Sequence, residues 1–382
     1  MAFGEFAESI GDRAEPRDAQ EEIYVGLEHI DPQCLHIRRW GKGSDVIGGK
    51  LRFCKGDIIF GKRRAYQRKL AVAEFGGICS AHAMVIRARP DKVLPEFLPF
   101  LMMSDRFMNR AVEISVGSLS PTINWTTLKL ETFDLPPLDQ QRRIAEILWA
   151  VDEVEQCKLG LCSVLSEKLN ALRDSICKEG ATAEVVRVRD VGDPHRQVVQ
   201  IGPFGGSLCS KHFTSAGVPV VKVNNITSHN TIDLTTAVRV SPNHAKSLAR
   251  YQVRGGDVLI ASQGDTTGRS GLAGDDAHGA IISQHLARVA VNGDQCRPAF
   301  LAELFRSDHV QRQVNAVKSK TTRPGLNTDD IADFLIPLPS VQVQDQFCGI
   351  ARSVTNAINA CKSEINAIHG LVSAILNTVT CT

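Results

Sequence analysis

The feature that most constrains this chain is that it repeats itself. At a constant offset of 203 residues, Ile78, Ser80 and His82 match Ile281, Ser283 and His285. Phe97, Leu98, Leu101, Ser104 and Asp105 match Phe300, Leu301, Leu304, Ser307 and Asp308. Pro121 and Asn124 match Pro324 and Asn327, and Leu135-Pro136 matches Leu338-Pro339. GDII at 56–59 and GDVL at 256–259 match at an offset of 200, which implies a three-residue insertion between. Matches this numerous, in order and at one offset, indicate a duplicated fold unit.

Each copy has two parts. The first is mixed, with short apolar runs (GDIIFG, HAMVIRA, VPVVKV, DVLIAS) between Gly, Pro, Asn and Asp, and helical patches over 95–113 and 298–317. The second follows a proline-stiffened stop and a glutamine-rich start, LPPLDQQRRIAEIL at 135–148 and LPSVQVQDQFCGIA at 338–351. From there a 4-3 spacing runs through Ile144, Leu148, Val151, Glu155, Lys158, Cys162, Leu165, Leu169, Leu172 and Ile176. The other copy gives Phe347, Ala351, Val354, Ile358, Cys361, Ile365, Ile368, Val372, Ile375 and Val379. This is a coiled-coil seam, broken only by Glu155 and Lys158. A helix over 139–178 is roughly 60 Å long, and its apolar seam must be buried. The other long helix is the obvious cover. The expectation is an α+β chain of two tandem mixed domains, each followed by a long helix, the helices pairing antiparallel with pseudo-two-fold symmetry as a spacer.

Such a ruler suits DNA, whose major groove returns about every 34–36 Å. The chain has 43% hydrophobic and 23% charged residues, the composition of a folded globular protein. Net charge is only +2, but RFCKGDIIFGKRRAYQRK at 52–69 holds seven Lys/Arg against one Asp, and 310–323 holds four Lys/Arg and no acid. Local basic segments can bind phosphates whatever the total. No apolar run reaches the ~18 residues of a membrane helix, and the acidic start lacks a signal peptide's apolar core. The eleven scattered cysteines have no CxxC and no zinc-finger spacing, so they are expected as free thiols. The expected location is the cytoplasm, with no membrane partner.

The two heads differ outside their shared framework. YVGLEHIDPQCLHIRRWG and GKRRAYQRK mark the first, and GPFGGSLCSKHFTSAGVPVVKVNNI the second. Shared framework with unlike loops is what two different half-sites require. LPPLDQQRRIAEIL closing a domain, GPFGGSLCSKHFTSAGVPVVKVNNI opening one and YVGLEHI opening the other resemble the specificity subunits of type I restriction–modification systems, over about Ile23 to Val379. The resemblance implies a first target-recognition domain over 1–138, a central conserved spacer helix over 139–180, a second target-recognition domain over 181–341 and a C-terminal spacer helix over 342–382. It implies a bipartite, asymmetric DNA target and assembly with two methyltransferase subunits and with motor-nuclease subunits, in a bacterium or archaeon. S-adenosylmethionine is then expected in the methyltransferase subunit, ATP and Mg in the restriction subunit, and no cofactor in this chain. The second copy departs from the first in having LPSV for LPPL and Gln342-Val343 for Asp139-Gln140.

Arg and Lys reach guanine or phosphate, and Asn and Gln pair with adenine. In the first head the candidates are Lys62, Arg63, Arg64, Tyr66, Gln67 and Arg68, after the GDIIFG strand, with Ser118 and Ser120. In the second they are Lys222, Asn224, Asn225, Gln263, Asp265, Thr266, Arg269 and Gln284, with Lys318, Lys320, Thr321, Thr322 and Arg323. The glycines of QGDTTGR let the backbone approach a ligand. His82 and His285 read as framework histidines satisfied by backbone carbonyls, and Asn124 and Asn327 as helix caps. The spacer positions Ile144, Leu148, Val151, Leu165, Leu169, Leu172, Phe347, Val354, Ile358, Ile365, Ile368 and Ile375 hold the helices or partners, and the remaining helix faces are left for the methyltransferase subunits.

The rivals are a lone DNA-modifying enzyme, methyltransferase or nuclease, and a duplicated scaffold that binds no DNA. Pro-Pro occurs once, in LPPL, so the Asn/Asp-Pro-Pro-aromatic motif of amino-methyltransferases is missing. No acid stands two positions before a lysine, as many nucleases require, and no GK continues into a phosphate-binding loop. The basic loops and unlike heads weigh against a bare scaffold.

Overall fold

The structure is a computed structural model that describes residues 1–15, 17, 19–178, 184–227, 230–319 and 325–380. The chain divides into two compact units: Met1–Lys158 with Glu364–Thr382, and Leu159–Ser363.

In unit 1 a four-stranded antiparallel sheet runs in the order Ala7–Ile10, Ala83–Ala88, Ile58–Gly61, Leu70–Val72. The central strand is buried at every position because both faces are covered. Alternate residues point to opposite faces. Ile58 and Phe60 join a core with Phe97, at the N-cap of helix Leu98–Met103, with Leu101 inside that helix, and with Phe107 of helix Asp105–Glu113. Ile59, Val85 and Ala71 join a core under a second, five-stranded sheet, which contains the parallel pair Tyr24↔Ile78.

Unit 2 repeats the plan. Its four-stranded sheet has the order Val199–Ile201, Leu286–Val289, Val258–Ala261, Ser270–Leu272. Val258 and Ile260 face helices Pro298–Leu304 and Asp308–Lys318, while Leu259 and Ala261 face the other core. A further sheet holds the parallel pair Val220↔Ile281. The repeated aspartates are explained here. Asp57 accepts from the Cys54 N–H at 2.8 Å and from the fork of Arg87 at 2.7 and 2.9 Å. Asp257 accepts from the Arg254 N–H at 2.7 Å and from the fork of Arg196 at 2.7 and 3.0 Å.

Each of the helical patches holds two helices. Ser104 and Ser307 stand at the junctions, accepting from the N–H of Phe107 and Val310 and donating to the carbonyls of Leu101 and Leu304, both at 2.7 Å. A serine there caps the second helix while ending the first.

The long helices run Leu138–Lys178 and Val341–Thr380. Every seam position whose side chain is described is buried or half-buried. Within each unit the two helix segments run antiparallel. In unit 1 Glu155 accepts from His369 Nε2 at 2.8 Å, and Lys158 pairs with Glu364. The two polar breaks in the seam are therefore crossings between the helices, a hydrogen bond at Glu155 and an ion pair at Lys158. In unit 2 Cys162 lies against the Ile358 carbonyl.

The glutamine-rich start has a shared cause. Gln141 and Gln344, 203 residues apart, are 1% and 0% exposed. Gln141 accepts from the Leu94 N–H (2.9 Å) and donates to the carbonyls of Lys92 (3.2 Å) and Pro136 (2.9 Å). Gln344 accepts from the Arg297 N–H (2.7 Å) and donates to Gln295 and Pro339 (both 2.9 Å). Each buried amide is thus satisfied three ways, and each ties the start of its long helix to the segment just before helix Leu98–Met103 or Pro298–Leu304 and to the proline-stiffened stop. The sequence pattern pointed to glutamines at this place, but not to which of them is buried.

Candidate nucleic-acid interface

One loop is built twice. After strand Ile58–Gly61 the chain turns through Lys62–Lys69 and closes where the Gly61 N–H donates to the Lys69 carbonyl at 2.9 Å. After Val258–Ala261 the Ala261 N–H donates to the Arg269 carbonyl at 2.8 Å. The loop needs left-handed backbone at two places. Unit 2 puts glycine there, Gly264 (φ 91°) and Gly268 (φ 90°). Unit 1 puts arginine there, Arg64 (φ 56°) and Arg68 (φ 51°). A second strip braces each loop. Arg63 bridges Thr122 and Gln263 bridges Gly325. The Ile123 N–H donates to the Lys62 carbonyl at 2.9 Å, and the Leu326 N–H to the Ser262 carbonyl at 2.8 Å.

In unit 1 this gathers Lys62, Arg63, Arg64, Ser120 and His82. Arg63 donates to Ser120 Oγ at 3.3 Å and meets His82 Nε2 at 3.3 Å, and Arg64 donates to Ser120 Oγ at 3.4 Å. Burial, then the charges of Arg63, Lys62 and Lys50, hold His82 below the usual histidine range, which favours its neutral form. Burial also pulls the Lys62 amine down. Tyr66 is exposed beside Arg64, Gln67 is half-buried in the turn, and Ser118 is exposed next to Leu119. Arg68 does not join them. Its guanidinium donates to Asp105 at 2.6 Å and to the Met103 carbonyl at 3.3 Å, beneath the loop.

In unit 2 Gln263, His285 and Gln284 form a chain. His285 Nδ1 meets Gln263 Oε1 at 2.9 Å, and His285 Nε2 meets Gln284 Nε2 at 2.9 Å. A cleft of about 540 Å³ brings Gln284 and His285 beside Lys222 and Asn224. The Lys222 ammonium lies 4.7 Å from the Phe213 ring centroid, a stabilising cation–π geometry. Asn225 is not a reader. It is 6% exposed, its Oδ1 accepts from the Lys222 N–H and its Nδ2 donates to the Asp233 carbonyl, so it holds the turn. Asp265 and Thr266 are exposed at the loop tip, and Arg269 lies in a separate cleft with Thr266, Arg306 and Gln311. Lys318 ends its helix half-buried. Lys320, Thr321, Thr322 and Arg323 lie outside the described residues.

Both histidines take side-chain partners rather than the backbone carbonyls expected of them. Both asparagines sit at N-cap positions, but only Asn327 accepts a cap bond, from the Asp330 N–H at 2.9 Å. Asn124 makes no side-chain cap bond. Among the described residues there is no group of His, Cys, Asp and Glu suited to a metal, and no helix long and apolar enough to cross a membrane.

A duplicated strand-and-loop platform whose exposed positions are polar, basic and unlike in the two copies defines a tandem nucleic-acid specificity module. The type I restriction modification DNA specificity domain model matches residues 43–159 and 196–369, so the chain belongs to that family and is a non-catalytic specificity subunit with a role in choosing DNA targets. The MjaVIII specificity subunit of Methanocaldococcus jannaschii is 21% identical over 84% of this chain and 75% of its own length. The EcoKI specificity subunit of Escherichia coli is 19% identical over 89% and 73%. The fold is similar to that of a type I S subunit from M. genitalium, with a TM-score of 0.63 and 12% identity over 100% of this chain and 95% of that one. It is also similar to a chain from a structural study of assembly and conformational transition in a type I R-M system, with a TM-score of 0.59 and 20% identity over 100% and 96%.

Proposed function

We propose that the chain reads a bipartite, asymmetric DNA sequence, one half with each unit, and brings methyltransferase and restriction subunits to it. One observation carries this reading: the same braced loop presents Arg63, His82 and Ser120 in unit 1 but Gln263, His285 and Gln284 in unit 2. Equal scaffolds with unequal edges read unequal sequences, since base edges are told apart by donor and acceptor pattern. Lys62, Arg64 and Lys222 supply the salt-dependent hold on phosphates.

Two methyltransferase subunits, one for each unit, dock on the long helices. Apolar side chains outside the seam support this: Ile147 and Val154 in unit 1, and Leu161, Val164 and Ile350 in unit 2, are each about half exposed. S-adenosylmethionine belongs to those subunits, and ATP and Mg to the restriction subunits.

The test is methylation mapping of DNA from cells with and without this chain, the methyltransferase partner present in both. The expected result is a motif of two short specific parts, methylated only when the chain is present. A continuous motif, or the same methylation without the chain, would overturn the reading.

A further inference from the structure

Two side chains occupy one place in the duplicated framework. Arg63 and Gln263 each stand two residues beyond the central strand, and each bridges its bracing strip. Each also meets the histidine of the matching position, His82 for Arg63 and His285 for Gln263. The framework therefore fixes a pair rather than a residue: a long polar side chain, and an imidazole that holds it.

The Arg63 fork is held from two sides, by His82 and by Ser120, both at 3.3 Å. A guanidinium has no acceptor, so the imidazole nitrogen facing it must be bare. The neutral His82 provides that, and a protonated one would repel the guanidinium. A half-buried arginine held in this way has surrendered rotamer freedom before it meets a ligand, and it keeps its planar donor pair.

The glutamine pair obeys similar bookkeeping. A neutral imidazole has one N–H and one bare nitrogen. With the proton on Nδ1, His285 donates to Gln263 Oε1 and accepts from Gln284 Nε2. Gln263 keeps both amide protons and a second carbonyl lone pair for a ligand. A fixed guanidinium matches guanine O6 and N7, and a carboxamide matches adenine N6 and N7.

We infer that Arg63 and Gln263 are the corresponding base-reading residues of the two units, Arg63 selecting guanine and Gln263 adenine, with His82 and His285 as their positioning residues. The inference rests on the bipartite reading proposed above.

The experiment is sequence selection from random duplex DNA by the full chain in complex with its methyltransferase subunits. Wild type is compared with Arg63→Gln, Gln263→Arg, His82→Phe and His82→Gln. Arg63→Gln is expected to lower the preference for one guanine by about 10- to 100-fold and to leave the other half-site unchanged. Gln263→Arg exchanges an adenine for a guanine in the opposite half. The unchanged half-site in each variant proves that the chain is folded. His82→Phe weakens the same guanine as Arg63→Gln does, and His82→Gln, whose carbonyl accepts the bond, restores it. A split wild-type motif that neither Arg63→Gln nor Gln263→Arg alters would overturn the inference and leave the bipartite reading standing. A uniform loss of affinity for all sequences in Arg63→Gln, with a shallower salt slope, would make Arg63 a phosphate contact and also overturn it. A wild-type complex that selects one unbroken motif would overturn the bipartite reading itself.

Discussion

In unit 2 the guanidinium of Arg173, 3% exposed, donates to Glu303 at 2.7 and 2.9 Å, and Glu303 also accepts from Asn230 at 3.1 Å. In unit 1 the positions 203 residues away are Leu376 and Phe100, both buried in one apolar core. The same junction between long helix and recognition domain is sealed by an ion pair in one copy and by hydrocarbon in the other. A buried ion pair repays its desolvation only when its geometry is good, and a packed apolar replacement is often as stable. The duplicated architecture thus asks for a filled, satisfied junction, and it is indifferent to how the filling is done.

That comparison can be broken. Glu303→Ala leaves Arg173 buried without its counter-charge and should cost about 3–5 kcal/mol in urea unfolding. Arg173→Leu with Glu303→Phe copies unit 1 and should recover most of that loss. A double variant as unstable as the single one would mean that the two junctions are not equivalent.

The glutamine sockets test the opposite case, where the copies agree. Gln141→Leu and Gln344→Leu each orphan one buried N–H and two carbonyls, so each should cost about 3 kcal/mol. Unequal losses would show that one copy has found another way to satisfy its backbone.

A smaller effect separates the units by pH. His36 meets Asp152 at 2.6 Å and Glu74 at 2.7 Å, and the hydrogen bond to Asp152 leads in raising its pKa from 6.5 to about 9. The position 203 residues beyond Asp152 is the uncharged Thr355. The folded pKa is raised, so the contribution is complete below pH 6.5 and is lost as pH climbs through about 9. Partial solvent exposure limits it to about 1 kcal/mol. Hydrogen exchange in the segment around Asp152 should quicken over that range in the wild type, and His36→Gln should remove the dependence.

The repeat, the strands and the seam were legible in the sequence because they depend on periodicity and on matched positions. Val258–Ala261 reads as a strand, and is one, because apolar residues fill both of its faces. The site was only partly legible. Arg68 looks like its neighbours in a basic run, yet its partner Asp105 lies 37 residues on. Asn225 looks like Asn224, and only burial separates the turn-holder from the exposed residue. The histidine partners depend on loops meeting in space, which spacing along the chain does not encode. The left-handed backbone shared by Arg64 and Gly264 is announced by glycine in one copy and hidden by arginine in the other.

The glutamine sockets carry one more consequence. Beyond the amide itself, every bond that Gln141 and Gln344 make is to the main chain. Main-chain groups are common to all residues, so the fastening does not register which side chains lie behind it. Any recognition domain that presents one N–H and two carbonyls at that bend fits the mount, as the two dissimilar ones in this chain already do. The part that must vary for a new target is fixed to the part that must not by a clasp blind to sequence.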